Sequence, residues 1–421
     1  MENDLMKLKL FKSEFLSNLS TQMLGTGLAQ ILPLLIMPLL SRLYSEKEFA
    51  LYSTFLAYSA VLIVATGGRY YVAIILPKKE KDALKVFCLS IALTILYTFL
   101  LFVVCLIIFY GFPNTLNTHG IIFLIPLYVG FFGLWQSFFN LSIRGKRFKL
   151  TASSKVIQAT TYATVSGLLG LVLTPVGLII GKISGIVFSL YHLKTRLKLK
   201  KDTYSIKNLK EVAIKYSDYP KYSILPNFLG TLSTQSLIFL IGYYFTQTEL
   251  GFYGLTNMCL MAPLGLVGIS FRDVFYQRIT YLINEKQINE AKSFFLKSTL
   301  MLVFIGVIIG GVLFFFGELI FSLVFGDKWS ISGELASILS ISLIFKLGVS
   351  PTSSILNATN NVKTVSLWQT IYFVTTFTTL LLAILYFKTN LYILLKVYIL
   401  HEAILYSFYY YLQFKSLKQN N

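Results

Sequence analysis

The chain has 421 residues, of which 55% are hydrophobic and only 13% charged, and its formal net charge is +19. A water-soluble domain carries roughly 25% charged residues, so the composition excludes a soluble enzyme or binding module. Cys88, Cys105 and Cys259 all fall inside apolar runs, which argues against a disulfide framework and for small packing residues.

In chain order, Leu5, Leu8, Phe11 and Phe15 interleave with Lys7, Lys9 and Lys12, the pattern of an amphipathic helix lying at a membrane interface. Apolar runs long enough to cross about 30 Å of hydrocarbon then recur near 19–40, 48–76, 84–109, 120–142, 152–173, 175–193, 222–244, 250–272, 296–317, 334–356, 364–387 and 391–414. The first run is too long for a signal-peptide core and no small-x-small site follows it, so it is expected to stay in the mature chain. Pro33 and Pro38 in the first run and Pro263 in the eighth predict kinks that buried neighbours can accommodate.

Most of the 37 basic residues fall in loops that share one side of the membrane, and the segment from Lys194 to Lys221 alone carries nine. The loops at 110–119, 171–176 and 244–250 have none. The positive-inside rule then puts both termini in the cytoplasm. The net charge reads as a topology signal and a match to anionic headgroups, with no role for nucleic acid.

The sequence repeats. Ser45-Glu-Lys-Glu48-Phe-Ala-Leu-Tyr52 opens the second run and Thr246-Gln-Thr-Glu249-Leu-Gly-Phe-Tyr253 opens the eighth. Each predicts a capping box, with the hydroxyl accepting from the N3 amide while the glutamate reaches back to the cap amide. Some twenty residues later come Arg69 and Arg272, beside Gly67, Gly68 and Gly268. The expected fold is therefore all-α and polytopic, with about twelve transmembrane helices in two six-helix lobes related by a pseudo-two-fold axis along the membrane normal. The predicted bounds are 1–194 for the first lobe, 195–221 for a basic cytoplasmic connector and 222–421 for the second. Parallel repeats of this kind hold substrate between the lobes in alternating-access carriers.

Charges inside the spans are the candidate site, because a mid-bilayer lysine costs roughly 2.5–3.5 kcal/mol on insertion scales. Lys182 and Lys396 are 214 residues apart, as are Lys149 and Lys363, so the first two read as symmetry mates in the last helix of each lobe. Lys346 lies near the centre of the tenth span, while Arg69 and Arg272 sit nearer the cytoplasm. Snorkelling to headgroups competes with a ligand role for Arg69, Arg272, Lys182 and Lys396, and a hydrogen bond to a neighbouring helix competes for Lys346. Arg42 reads as an interface anchor. Acidic residues are absent between Asp82 and Asp202 and between Glu334 and Glu402. Buried cations without buried acids imply an anionic ligand, for which a diphosphate is well suited. Glu402, the acid well inside a span and preceded by His401, is the candidate coupling residue; pairing with a basic residue and neutral packing compete with that role.

Other chemistry is missing. There is no GxxxxGK[ST] phosphate loop, no metal-ligand grouping of the three histidines and three cysteines, and no Ser/His/Asp cluster, so neither an enzyme nor a cofactor is expected. The Gly177-x-x-x-Gly181-x-x-x-Gly185 row and Gly306-x-x-x-Gly310 predict close helix packing.

The runs LPLLIMPLLSRLYSEKEFALYS at 32–53, YSDYPKYSILPNFLG opening the seventh span, QTELGFYGLTNMCLMAPL at 247–264 and SLVFGDKWSISGELASIL at 322–339 resemble bacterial polysaccharide-unit exporters. These are the O-antigen and capsule flippases of the multidrug/oligosaccharidyl-lipid/polysaccharide superfamily. The resemblance implies two lobes around a basic cavity, with the lipid tail passing between the first and eighth helices. It implies as substrate an oligosaccharide on undecaprenyl diphosphate, moved from the cytoplasmic to the periplasmic leaflet of the bacterial inner membrane and passed on to a polysaccharide polymerase. An ion-coupled multidrug antiporter of the same superfamily is the alternative, and it needs a carboxylate that spans three to six lack. A major-facilitator sugar transporter also has twelve spans, but its basic G-x-x-x-D-R-x-G-R-R loop after the second span is absent here. A channel or scaffold is the remaining class.

Overall fold

The computed structural model describes residues 27, 31–111, 121–172, 175–197, 199, 209–387 and 390–418. The amphipathic segment expected ahead of residue 19 lies outside the described residues, as do 198 and 200–208 of the basic connector. All regular structure among the described residues is helical.

The first elements are α1 (Ile31–Leu43) and α2 (Glu46–Ile63), separated by a two-residue turn. The predicted capping box forms there: the Ser45 amide donates to Glu48 Oε2 at 2.6 Å and the Glu48 amide to Ser45 Oγ at 3.4 Å. Beyond α2 the chain bends by 50° into the short α3 (Tyr70–Ala73). The cause is local. Gly67, Gly68 and Arg69 are left-handed in succession, with φ of 56°, 56° and 58°. Glycine adopts that region without penalty, whereas Arg69 bears about 1–2 kcal/mol for it. Carbonyls at the bend take hydroxyl donors, Thr66 Oγ1 donating to Ile63 O at 2.7 Å and Tyr97 Oη to Leu62 O at 3.1 Å, the latter beside the Ala65 amide at 3.3 Å.

Next come α4 (Glu80–Gly111), α5 (Leu124–Arg144), α6 (Phe148–Leu171), α7 (Gly177–Leu197) and the short α8 (Leu209–Lys215). They are followed by α9 (Asp218–Tyr244) and α10 (Gln247–Pro263). The second capping box opens α10, with the Thr246 amide 2.9 Å from Glu249 Oε2 and the Glu249 amide 3.2 Å from Thr246 Oγ1. Here the expected proline kink takes the form of a π-helical stretch, Leu264–Ile269, leading into α11 (Ser270–Asn284). Proline lacks the amide and crowds the carbonyl one turn back, and a wider turn absorbs both. The chain closes with α12 (Ile288–Phe325), α13 (Ser330–Val349), α14 (Ile355–Ala358), α15 (Val362–Phe387) and α16 (Leu391–Lys418).

Eight of these stretches are long and apolar enough to cross a membrane, and nine if the bent pair α2–α3 is one span. The helices α6 and α7 have 24 and 21 residues but are diluted by Thr, Ser and Lys, and the described part of the first span, α1, is short. Large apolar side chains such as Phe99, Ile107, Leu300, Phe304 and Phe315 stay exposed on α4 and α12. In water such a surface would drive aggregation; facing lipid it is stable. The chain is a multi-pass membrane protein.

Packing divides the chain into two compact units, one of residues 1–36 and 58–228 and the other of 37–57 and 229–421. In the first, Trp135 Nε1 of α5 donates to Ser189 Oγ of α7 at 2.8 Å, and Ser189 Oγ to Ser154 O of α6 at 2.7 Å. The glycines of α7 work as expected: a Cβ on Gly185 would lie 2.6 Å from Gln158 O of α6. In the second, α12 and α13 form a tight hairpin. A Cβ on Gly333 would fall 2.5 Å from both Glu318 Cα and Gly317 O, which are backbone atoms and cannot swing aside. We therefore expect Gly333→Val to destabilise the protein by about 1–3 kcal/mol through overpacking. Thermal unfolding in detergent checks this against Gly311→Ala, whose Cβ would meet nothing within 4 Å.

Candidate functional site

The second unit contains a cavity of about 390 Å³ walled by α9, α10, the π-helical stretch, α11, α13, α15 and α16. Its inner wall depends on a break in α13. Pro351 interrupts the helix and a 3₁₀ turn, Pro351–Ser354, carries the chain into α14. The Val349 carbonyl left by that break accepts from Gln413 Nε2 at 3.2 Å and from Thr352 Oγ1 at 3.1 Å. Lys346 sits one turn before this rigid corner.

Lys346 does not stand alone. Its ammonium donates to Tyr398 Oη at 2.7 Å and lies 3.0 Å from Glu402 Oε2 as an ion pair. Tyr398 and Glu402 are four residues apart on α16, so they share a face and meet the same partner. The other carboxylate oxygen, Glu402 Oε1, accepts from Tyr372 Oη of α15 at 2.8 Å. Tyr372 is held by the stack beneath it, Trp368 against Tyr372 at 5.6 Å and Trp368 against Tyr409 at 4.0 Å between centroids. Burial without pairing would be prohibitive for either charge. The expectation of a cation uncompensated by acid is therefore corrected at Lys346: its counter-ion comes from another helix. Of the three readings open for Glu402, the geometry is that of a pair with a basic residue.

The two partners differ in access. The Glu402 side chain is 0% exposed and does not line the cavity, whereas the Lys346 side chain is 14% exposed and does. Tyr253, Tyr398, Tyr372 and Tyr406 also line this space, as do Asn257 and Ser342. Arg272 also lines the cavity; its side chain is 51% exposed and pairs with the adjacent Asp273 at 3.5 Å. The structure thus brings Lys346, Glu402 and Arg272 to one site.

The other candidates lie elsewhere. Lys396 is exposed on α16 and does not line the cavity. Its proposed symmetry mate Lys182, in the first unit, is half-buried over the Tyr162 ring at 5.7 Å, so the two environments differ. Arg69, also in the first unit, is half-buried at the left-handed bend with its Nε lacking a hydrogen-bond partner and its guanidinium 5.9 Å from the Tyr71 ring. Arg42 is exposed, as an interface anchor would be. The tyrosines were not among the residues singled out from sequence. The spacing Tyr398-x-x-x-Glu402-x-x-x-Tyr406 was the available signal, since it sets two phenols on either side of an acid along one helix face. Among the described residues no group of His, Cys, Asp and Glu could hold a metal ion.

The model of the polysaccharide biosynthesis protein family matches residues 15–282. The chain belongs to this family. The family match takes in both capping boxes, Arg69, Lys182 and Arg272, and stops before Lys346 and Glu402. The fold is shared more widely. A lipid II flippase, MurJ, in an inward closed conformation superposes with a TM-score of 0.69 at 14% identity, covering 93% of this chain and 86% of that one. A multidrug-resistance MATE transporter of the MOP superfamily, outward-facing, gives 0.66 at 12% identity over 96% and 97% of the two chains. A MOP-superfamily transporter from Pyrococcus furiosus, described as having a binding pocket of reverse polarity, gives 0.65 at 14% identity over 97% and 96%. A search of curated protein sequences finds no match. The exporter resemblance seen in the sequence is thus borne out at the level of the family, and the fold is one that transporters of the MOP superfamily share.

Proposed function

We propose that this polysaccharide biosynthesis family member is a flippase for undecaprenyl-diphosphate-linked oligosaccharide units, of the kind that build O-antigen or capsule. It would move them from the cytoplasmic to the periplasmic leaflet of a bacterial inner membrane by alternating access, with both termini cytoplasmic. In this reading the chain crosses twelve times, α1, α6 and α7 included, as two six-helix lobes, and delivers its cargo to a polymerase.

The observation that carries the proposal is the cavity beside Lys346. A buried ammonium that reaches a roomy chamber of phenols and amides has the chemistry to hold a phosphate-linked sugar: charge-assisted bonds for the phosphate, and hydroxyl and amide groups with ring faces for the saccharide. Arg272 at the same chamber adds planar, two-pronged phosphate recognition. Arg69, Lys182 and Lys396 are proposed to draw the anionic headgroup along its path. Family membership and the fold shared with a lipid II flippase point the same way.

Reconstituted in liposomes with fluorescent undecaprenyl-diphosphate saccharides, the protein is expected to accelerate leaflet exchange in a saturable manner. Arg272→Ala is expected to raise the half-saturating concentration about tenfold or more, the worth of one charge-assisted hydrogen bond. Exchange no faster than in empty liposomes would sink the reading. The ion-coupled antiporter keeps one observation in its favour, a buried carboxylate at Glu402 in a fold shared with multidrug transporters. Export of cationic drugs driven by an ion gradient, without saccharide exchange, would establish it instead.

A further inference from the structure

Building on the reading of Lys346 as a headgroup ligand, we propose that Glu402 is a built-in competitor of the substrate's phosphate for Lys346, setting how tightly the carrier grips and how readily it lets go. The asymmetry of the pair carries the inference. A charge pair that served burial alone would hide both members, yet only Glu402 is sealed off, while Lys346 faces the cavity. An ammonium has three donors. One goes to Tyr398 at 2.7 Å and another direction is taken by Glu402 at 3.0 Å, which leaves donor capacity for an anion arriving through the cavity.

Glu402 is held to wait. Tyr372 fixes Oε1 at 2.8 Å, so the carboxylate keeps a donor when the ammonium turns toward a phosphate. The other charged or titratable groups around it are Tyr398, His401 and Tyr406 of α16, and Tyr253 of α10. Among the described residues Lys346 is the cation paired with Glu402, so it is the positive charge that phosphate and carboxylate would share, whatever Arg272 adds for the phosphate. Binding of the anion and the Lys346–Glu402 pairing are then mutually weakening, and a coupling between two such events is reciprocal. A carrier gains from this arrangement, because a bare buried ammonium would hold a diphosphate too firmly to release it. Glu402 acts through Lys346 and is a positioning residue.

The test is titration of purified protein with inorganic pyrophosphate, together with saccharide exchange in liposomes. Glu402→Gln removes the competing charge and keeps the shape. It is expected to tighten pyrophosphate binding about fivefold or more, and in exchange to lower KM and kcat together, since the grip tightens at the expense of release. Glu402→Asp retains the charge, and so protects folding, but withdraws it by one methylene; a smaller tightening is expected. The Lys346→Gln/Glu402→Gln double variant, neutral at both positions, is expected to lose the pyrophosphate affinity of the wild type. Damage to structure could not produce a gain in affinity. If the wild-type protein binds and both Glu402 variants bind equally or more weakly, the competitor role is overturned while the headgroup reading stands. If neither the wild type nor any variant binds pyrophosphate, the headgroup reading itself fails and takes this inference with it.

Discussion

Replacement of Lys346 by Met is expected to cost the folded protein about 3–5 kcal/mol and to abolish the proposed flipping. Methionine preserves the unbranched stem and removes the ammonium, leaving the Glu402 carboxylate 0% exposed without its counter-ion. Breaking a buried pair on one side is costly for that reason, whereas replacing both members by neutral groups of similar shape is often tolerated. The Lys346→Met/Glu402→Gln double variant should therefore recover most of the lost thermal stability in detergent. Its transport is expected to stay absent, because the group proposed to meet the phosphate is gone. Surface polysaccharide in cells and exchange in liposomes, each normalised to folded protein, separate the two effects. A double variant that is both stable and active would reduce Lys346 to a packing element and remove the headgroup role.

What could be read from the chain beforehand depended on how local the cause was. The capping boxes at Ser45–Glu48 and Thr246–Glu249 were legible because a cap involves four consecutive residues, and both form as expected. The membrane class was legible because burial in lipid demands continuous apolar length. Individual spans were less so: α6 and α7 carry enough Thr, Ser and Lys to fall below the apolarity of the stretches that are long and apolar enough to cross. The glycine rows told of close packing without naming the partner helix. At the site, Lys346 was found because a lysine amid apolar neighbours stands out in sequence, but its pairing was not. The acid-free stretch that suggested an isolated cation ends at Glu402, and that residue, on another helix, is the counter-ion. Distance along a chain does not report distance between helices. The phenols escaped notice for a different reason, since tyrosine is common throughout this chain and its role depends on which way the helix faces. Nor did any pattern show that residues 37–57 would pack with residues 229–421.

That last contact leads to a second large effect. Trp329→Ala is expected to destabilise the protein by about 3–5 kcal/mol, the range for emptying a large aromatic site in a core. Trp329 is 0% exposed in the turn between α12 and α13. Its ring meets Phe49 of α2 at 4.9 Å and Phe252 of α10 at 5.9 Å, both edge to face, the arrangement aromatic quadrupoles favour. The end of α1 explains why a tryptophan stands there. The last carbonyls of a helix have no partner within it, and at this end the neighbouring turn supplies donors. Trp329 Nε1 donates to Ser41 O at 2.9 Å and Lys328 Nζ to Tyr44 O at 3.0 Å, while Ser41 Oγ returns a bond to Phe325 O at 3.1 Å. Trp329→Phe separates packing from bonding, because it retains most of the ring and loses the N–H. It is expected to cost about 1–3 kcal/mol, the penalty for an orphaned buried carbonyl, and so to fall between the wild type and the alanine variant. Thermal unfolding in detergent reads the order directly. Should Phe prove as damaging as Ala, the hydrogen bond to Ser41 would outweigh the ring contacts, and the joint between 37–57 and 229–421 would be polar in origin.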